Sequence, residues 1–294
     1  MDAMAPPVIG VSPAYFISRF GDRFSARQMA EGLEDIAAMG FDGFQPEVFH
    51  RSALSSWRRE GAAMVARQAQ ALGLKASQFV AHFMLHDFSR PDYRPRDAVR
   101  DDIQVVLDIM DHFDTCRTVT VPLGTCETAG NGTAPQTDAH FTWLRDTIGC
   151  LAETAQTAGC RLALEIMPKA IIGGMDGYLR LCTDLGSTAP GLNFDTGHAW
   201  AAGEDILQIP MRLRGRILGT HLCDNYGYES LSLGPGQGTI YWQRLISFLI
   251  ETGYHGAWDI EIICPPERCR AEYEQARDFI AFHIETAAAG IPAQ

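Results

Sequence analysis

The sequence predicts an α/β fold, a single (β/α)8 barrel over residues 1–294, and three observations carry the prediction. Short apolar runs alternate with amphipathic helical stretches along the chain, eight such units can be counted, and no composition break or Pro/Ser-rich linker divides them. The length of 294 residues exceeds a typical single core, but α/β barrels commonly reach about 200–250 residues or more as one domain. A doubly wound open sheet is the competing architecture. It lacks support because no G-x-G-x-x-G follows the first strand.

The elements follow in order. Val8–Ser12 reads as the first strand and Ser25–Met39 as its helix, with Ser25 as N-cap, Gln28 three residues on, and Gly40 beyond the end. Phe41–Pro46 is the second strand, and the helix from Ser56 to Leu72 stops at Gly73. Leu74–Ala81 pairs with a helix at Arg96–His112, and Arg117–Pro122 with one at Ala139–Ala158. Arg161–Met167 precedes Asp176–Leu185, and Gly191–Asp195 precedes a short helix near Glu204–Gln208. Arg216–Cys223 leads into Ile240–Glu251, and Ala257–Ile263 into Arg268–Ala288. Near-continuous apolar strands of this kind belong to parallel sheets covered by helices.

Composition narrows the function. Hydrophobic residues make up 46 % and charged residues 20 %, which is globular and not disordered. The net charge of −12 argues against nucleic acid as a partner, since phosphate affinity rests on clustered Lys and Arg. Eight cysteines without a CxxC pair read as bystander thiols in a reducing compartment. Residues Met1–Pro7 show no basic or apolar leader, and no apolar run reaches the roughly 18–20 residues of a membrane span. The expectation is a cytoplasmic protein with no membrane partner.

Barrel enzymes place their chemistry at the C-terminal ends of the strands. Those ends carry Glu47 after the second strand, His82 and His86 after the third, Glu165 in the fifth, Asp195 and His198 at the sixth, His221 and Asp224 at the seventh, and Glu261 at the eighth. Their surroundings are apolar (LALEIMP, GLNFDTGHAW, ILGTHLCDN, AWDIEII), where an ionisable group is costly unless paired or bound to a cation. In a closed barrel Glu165, Asp195, His221 and Glu261 converge on one axis. Taken singly, each is readily explained as half of an ion pair or a satisfied core histidine. Together, three carboxylates and one imidazole form an oxygen-rich site suited to one divalent cation, Mn²⁺ foremost, with Mg²⁺, Co²⁺ or Zn²⁺ as alternatives.

These motifs resemble the xylose-isomerase-like TIM-barrel superfamily, which includes sugar phosphate isomerases and epimerases and apurinic-endonuclease-type barrels. The resemblance is carried by LALEIMP, LNFDTGHAWAAGEDI, GTHLCDN, LGPGQGTIYWQRLISFL and GYHGAWDIEI, and more loosely by MGFDGFQPE and His82. It implies that Glu165, Asp195, His221 and Glu261 bind a divalent ion. It further implies that Glu165 and Glu261 exchange protons with the carbon beside a substrate carbonyl, and that His198 contacts substrate oxygens. The implied activity is isomerisation or epimerisation of a ketose or keto-sugar through an enediolate, with Asp224, His82, His86 and Glu47 as further substrate contacts. A homo-oligomer through one side of the barrel is in keeping with such proteins.

Two departures refine this expectation. Ketose epimerases of this group carry an arginine shortly after H-x-x-[DE], whereas Asp224–Ser230 here reads DNYGYES, with Tyr226 and Tyr228 offering flat surface for a sugar ring or an aromatic aglycone. A lyase acting on an inosose or 3-keto-glycoside is therefore the alternative, with His82, His86 or Asp224 as general acid; a non-catalytic sugar-binding barrel is a second. The trinuclear nuclease set is incomplete, because the fourth strand, TVTVPLG, has no histidine and Asp224 is followed by none before His255. Among weaker signals, Glu47 could pair with Arg51 or Arg58, Lys169 reads as solvent-facing or substrate-binding, and the glycines of Gly234–Gly238 read as a tight loop. Phe16, Phe20, Trp57 and Phe88 are either pocket wall or packing.

Overall fold

The structure, a computed structural model, describes residues 6–89, 94–125 and 138–289. Residues 1–5 of the leader reading, and Cys126, lie outside them. The strands are β1 (Ile9–Val11), β2 (Gly43–Phe44), β3 (Lys75–Ala76), β4 (Phe79–Val80), β5 (Thr118–Leu123), β6 (Arg161–Ile166), β7 (Gly191–Asp195), β8 (Ile217–His221) and β9 (Trp258–Ile260). All their pairings are parallel, in the orders β3-β2-β1-β9 and β4-β5-β6-β7-β8.

Two short seams join these arcs. Leu222 bridges Ile260, with Leu222 N donating to Asp259 O at 2.8 Å and Glu261 N to Leu222 O at 3.0 Å. Glu47 bridges Val80, with Val80 N donating to Pro46 O at 2.9 Å. The sheet curls closed as a (β/α)8 barrel, β3 and β4 together filling the place of the third strand.

The interruption between β3 and β4 falls where polar side chains enter the barrel. Ser77 Oγ donates to Asp259 Oδ2 at 2.8 Å, and Gln78 Nε2 to Asn193 Oδ1 at 2.7 Å. Thr120 Oγ1 donates in turn to Gln78 Oε1 at 2.7 Å. Strand side chains alternate between faces, so residues two apart share one. Gln45, Asn193 and Asp259 thus lie one layer beneath Glu47, Asp195 and Glu261. Gly10 makes room in that layer, since a Cβ there would meet Asp259 Oδ1 at 2.1 Å. Gly10→Ala is expected to destabilise the fold by about 1–3 kcal/mol, the cost of overpacking, measured by urea unfolding.

The helices cover the outside. Ser25 forms the expected capping box with Gln28, its N–H donating to Gln28 Oε1 at 2.9 Å, and the helix Ala26–Ala38 buries Met29, Leu33 and Ile36. Further helices are Ala62–Leu72, Arg96–Met110, Asp138–Thr157, Gly174–Leu185, Trp242–Glu251 and Cys269–Ala288. Three local readings change. The start of the helix expected from Ser56 is a π-wound turn, Trp57–Gly61. Residues 206–208 form turns, and helix begins only at Ile209–Arg212, with Pro210 in its first turn. Ala14–Phe20, where the sequence suggested no element, is a helix with Ala14, Tyr15, Phe16 and Ser18 buried and Arg19 exposed beside Asp35. Phe16, Trp57 and Phe88 are core residues.

Candidate functional site

The motif Asp195-Thr196-Gly197-His198 folds as the end of β7 running directly into the helix Thr196–Ala201. Asp195 is the N-cap, its Oδ1 accepting from His198 N at 2.7 Å. Thr196 Oγ1 donates to Cys223 O at 2.6 Å and accepts from Cys223 N at 3.0 Å, which locks the turn to the end of β8. A Cβ on Gly197 would stand 2.5 Å from Cys223 Sγ, so only glycine lets the two segments close. With Oδ1 engaged by the cap, Asp195 Oδ2 is left buried without a hydrogen-bond donor.

Four further groups face that oxygen. His198 Nε2 lies 3.4 Å from Asp195 Oδ2 and 3.6 Å from Glu165 Oε1. His221 Nδ1 lies 3.0 Å from Glu165 Oε1, 3.0 Å from Glu261 Oε2 and 3.9 Å from Asp195 Oδ2. Glu165, Asp195, His198 and Glu261 each offer a donor atom within 4.8 Å of the others. Glu165 comes from β6, Asp195 from β7, His221 from β8, and Glu261 follows β9. Apart from Glu261, whose side chain is 14 % exposed, the group is sealed from solvent.

The electrostatics are those of an over-anionic pocket. Burial pushes Asp195 up to about 7, only partly opposed by His198. Burial also raises Glu165 and Glu261, but the positive field of His221 overrides it, so Glu165 is held low and Glu261 falls to about 2. Burial acts the other way on the imidazoles and is itself outweighed. Asp195 and Glu165 raise His198, and Glu261 and Glu165 hold His221 well above its usual range. Three carboxylates in a largely buried pocket, one with an orphaned oxygen, fit a divalent cation: it would satisfy Asp195 Oδ2 and compete with protons for the imidazoles.

The remaining predicted residues separate. Glu47 is 1 % exposed with Oε2 unpartnered; burial, with the charges of Glu261 and Glu165 adding, holds its carboxyl well above the carboxylate range. Neither arginine considered for it is its partner, since Arg51 pairs with Asp87 and Asp102, and Arg58 with Asp108. His82 and His86 bound a five-residue 3₁₀ turn, in which residues three apart are aligned and residues four apart diverge. His82 accordingly stacks on Phe49 with ring centroids 4.0 Å apart, while His86 faces solvent. Burial lowers His82 to about 4, leaving it neutral.

Asp224 sits differently from the expected substrate contact. It is fully buried and accepts from Asn225 N, Gly236 N, Ile240 N and Trp242 Nε1, so its carboxylate is consumed in pinning the loop after β8. Gly238 is required there, since a Cβ would meet Asn225 O and Asp224 Oδ1 at 2.3 Å. Three contributors carried no sequence signal of their own. Ser230 Oγ lies 2.8 Å from His198 Nδ1, Gln45 Oε1 lies 2.8 Å from His221 Nε2, and Ser12 hydrogen-bonds Glu261. Beside the cluster, Lys169, Glu204, Tyr228 and Ser230 help line a cavity of about 650 Å³. Tyr226 and Tyr228 stand exposed near it, rings nearly parallel with centroids 6.4 Å apart.

The profile of a family described as "Xylose isomerase-like TIM barrel" matches residues 33–283. Among curated proteins, Uncharacterized protein MJ1311 of Methanocaldococcus jannaschii is 31 % identical over 120 residues, 39 % of this chain and 41 % of that one. The match thus spans less than half of that relative. The fold is similar to that of a D-tagatose 3-epimerase-like protein (20 % identity, TM-score 0.78, covering 97 % of this chain and 100 % of that one). It is also similar to L-ribulose 3-epimerase (20 %, TM-score 0.74, 98 % and 99 %). The IolI protein, whose structure holds a zinc atom, is 16 % identical with a TM-score of 0.74, covering 98 % and 100 %. At these identities the likeness is one of fold.

Proposed function

The chain belongs to the xylose isomerase-like TIM barrel family, and from that premise we propose a divalent-cation-dependent isomerase or epimerase of a ketose or keto-sugar. The observation that carries the reading is the pair Glu165 and Glu261. They are set apart around the barrel by β7 and β8, yet each lies 3.0 Å from the same imidazole nitrogen. The fold's likeness to L-ribulose 3-epimerase and to a D-tagatose 3-epimerase-like protein supports it. Glu165, Asp195, His221 and Glu261 would hold the cation, and His198 either joins them or meets substrate oxygens. Once bound, the cation supplies polarisation of a substrate carbonyl and a neighbouring hydroxyl.

The chain's own residues supply the rest. Glu261, ionised at neutral pH and the most open of the cluster, takes the proton from the carbon beside the carbonyl and, in an isomerisation, returns it to the neighbouring carbon. An epimerisation needs Glu165 to enter turnover protonated and deliver that proton to the opposite face, the proton taken by Glu261 then restoring it. His198, oriented by Ser230, offers Nε2–H to the developing oxyanion.

A dehydratase or related lyase is the second reading, and Glu47 favours it. Elimination needs an acid for the leaving group. Among the groups first considered, His82 is neutral, His86 faces solvent and Asp224 is consumed by its loop. Glu47 is a buried carboxyl whose hold on a proton is strengthened by burial and by the charges of Glu261 and Glu165. Solvent-deuterium exchange into ketoses, inososes and 3-keto-glycosides with Mn²⁺ present tests both readings. A labelled isomer supports the isomerase, loss of water or aglycone supports the lyase, and no exchange with any of them sinks both.

A further inference from the structure

We propose that Gln45 and Asp259 are positioning residues that hold His221 in the tautomer able to bind a cation. The inference rests on the reading of His221 as a cation ligand. It concerns two residues that touch neither cation nor substrate. The hydrogen bonds beneath the site leave one consistent assignment. Asp259 Oδ2 accepts from Ser77 Oγ at 2.8 Å and from Gln45 Nε2 at 2.7 Å, while Asp259 Oδ1 receives no donor. Ionised, Asp259 Oδ2 can only accept, and in that state the assignment is single. The NH₂ end of the Gln45 amide must face Asp259, and its carbonyl end must face His221.

A carbonyl oxygen only accepts, so His221 Nε2, 2.8 Å from Gln45 Oε1, carries a hydrogen. In the neutral imidazole the lone pair is then on Nδ1, the nitrogen that faces Glu165 and Glu261. Gln45 and Asp259 are fully buried and His221 is 2 % exposed, so no solvent is at hand to replace either link. Gly10 gives the Asp259 carboxylate its space. A neutral amide between carboxylate and imidazole also fixes the ring without adding a fourth negative charge next to the cluster. Outer partners of this kind commonly govern metal affinity.

The test is direct binding of Mn²⁺, with ¹⁵N NMR of the imidazole in Zn²⁺-loaded protein. Gln45→Leu is expected to weaken Mn²⁺ binding by about 10–100-fold with the fold retained by circular dichroism. Gln45→Glu combined with Asp259→Asn reverses donor and acceptor within the pair while still presenting a carboxylate oxygen to His221. This double variant is expected to recover most of the affinity. In loaded wild-type protein, His221 is expected to be protonated at Nε2 alone. Wild-type affinity in Gln45→Leu, or a proton on Nδ1 of the loaded wild type, overturns the assignment and leaves the cation site standing. Failure of the wild type to bind Mn²⁺ at all removes the site and this inference with it. The NMR result does not depend on any variant folding.

Discussion

Glu261→Gln is expected to cut turnover by about 10²–10⁴-fold, the range that a positioned acid–base group contributes, while the folded structure persists. The carboxylate and the amide have nearly the same shape, so packing around the residue is conserved. What changes is the charge, and its loss weakens the residue as a cation ligand and removes its proton affinity. Burial alone would raise Glu261, but His221 and then His198 hold it down to about 2, and it is an available base at every physiological pH. An amide can neither accept the proton nor return it. The residual 14 % exposure of the side chain is what lets a substrate carbon approach, whereas Asp195 and His221 are closed off. Loss of solvent-deuterium incorporation together with turnover is the expected result. Turnover near the wild-type rate removes Glu261 from proton transfer.

Asp195→Asn has the second large effect, on the cation and not on the fold. Asparagine keeps an Oδ1 to cap His198 N and to accept from Cys223 Sγ, the two contacts that Oδ1 makes now. It replaces Oδ2, the orphaned oxygen, with a group that cannot ligate. Cation affinity is expected to fall by more than about 100-fold, beyond what an outer partner is worth, as measured by titration calorimetry. The cation-free variant is expected to be at least as stable as wild type, because a buried carboxyl raised to about 7 is a strained element of the empty pocket.

The same titration carries a pH dependence with a definite sign. In cation-free protein His221 is raised well above 6.5 and Asp195 to about 7, so His221 favours its protonated form at neutral pH and Asp195 is partly protonated there. A cation must displace those protons. Affinity is therefore expected to rise as pH rises through neutrality, with protons released on binding. Calorimetry in two buffers of different ionisation heat counts the protons. Equal affinity at pH 6 and pH 8, with no release, contradicts the raised values.

Fewer than a dozen polar residues made the site legible in the sequence. Glu165, Asp195, His221 and Glu261 stood out because ionisable groups inside apolar strands are expensive, and parallel strands closed into a barrel bring their ends to one point. The D-T-G-H turn was legible for the same reason, although its capping role and the close approach of Cys223 to Gly197 were not. Gln45 and Asp259 passed unnoticed, since a polar residue near a strand end says nothing of depth. His82 and His86, four residues apart, would share a face on an α-helical turn, but the chain winds a 3₁₀ turn there and separates them.

Strand–helix alternation, the order of the units and the identity of the clustered acids follow from the sequence alone, because hydrophobic periodicity is a local property. Which carboxylates are left free is a property of the closed barrel. Asp224 and Asp195 read alike, yet four donors from its own loop consume the first, while the cap satisfies only one oxygen of the second. Whether the chain after β8 folds back so that its donors reach Asp224 is set by packing and not by residue type, so only the tertiary structure could decide which acid had an oxygen to spare for a cation.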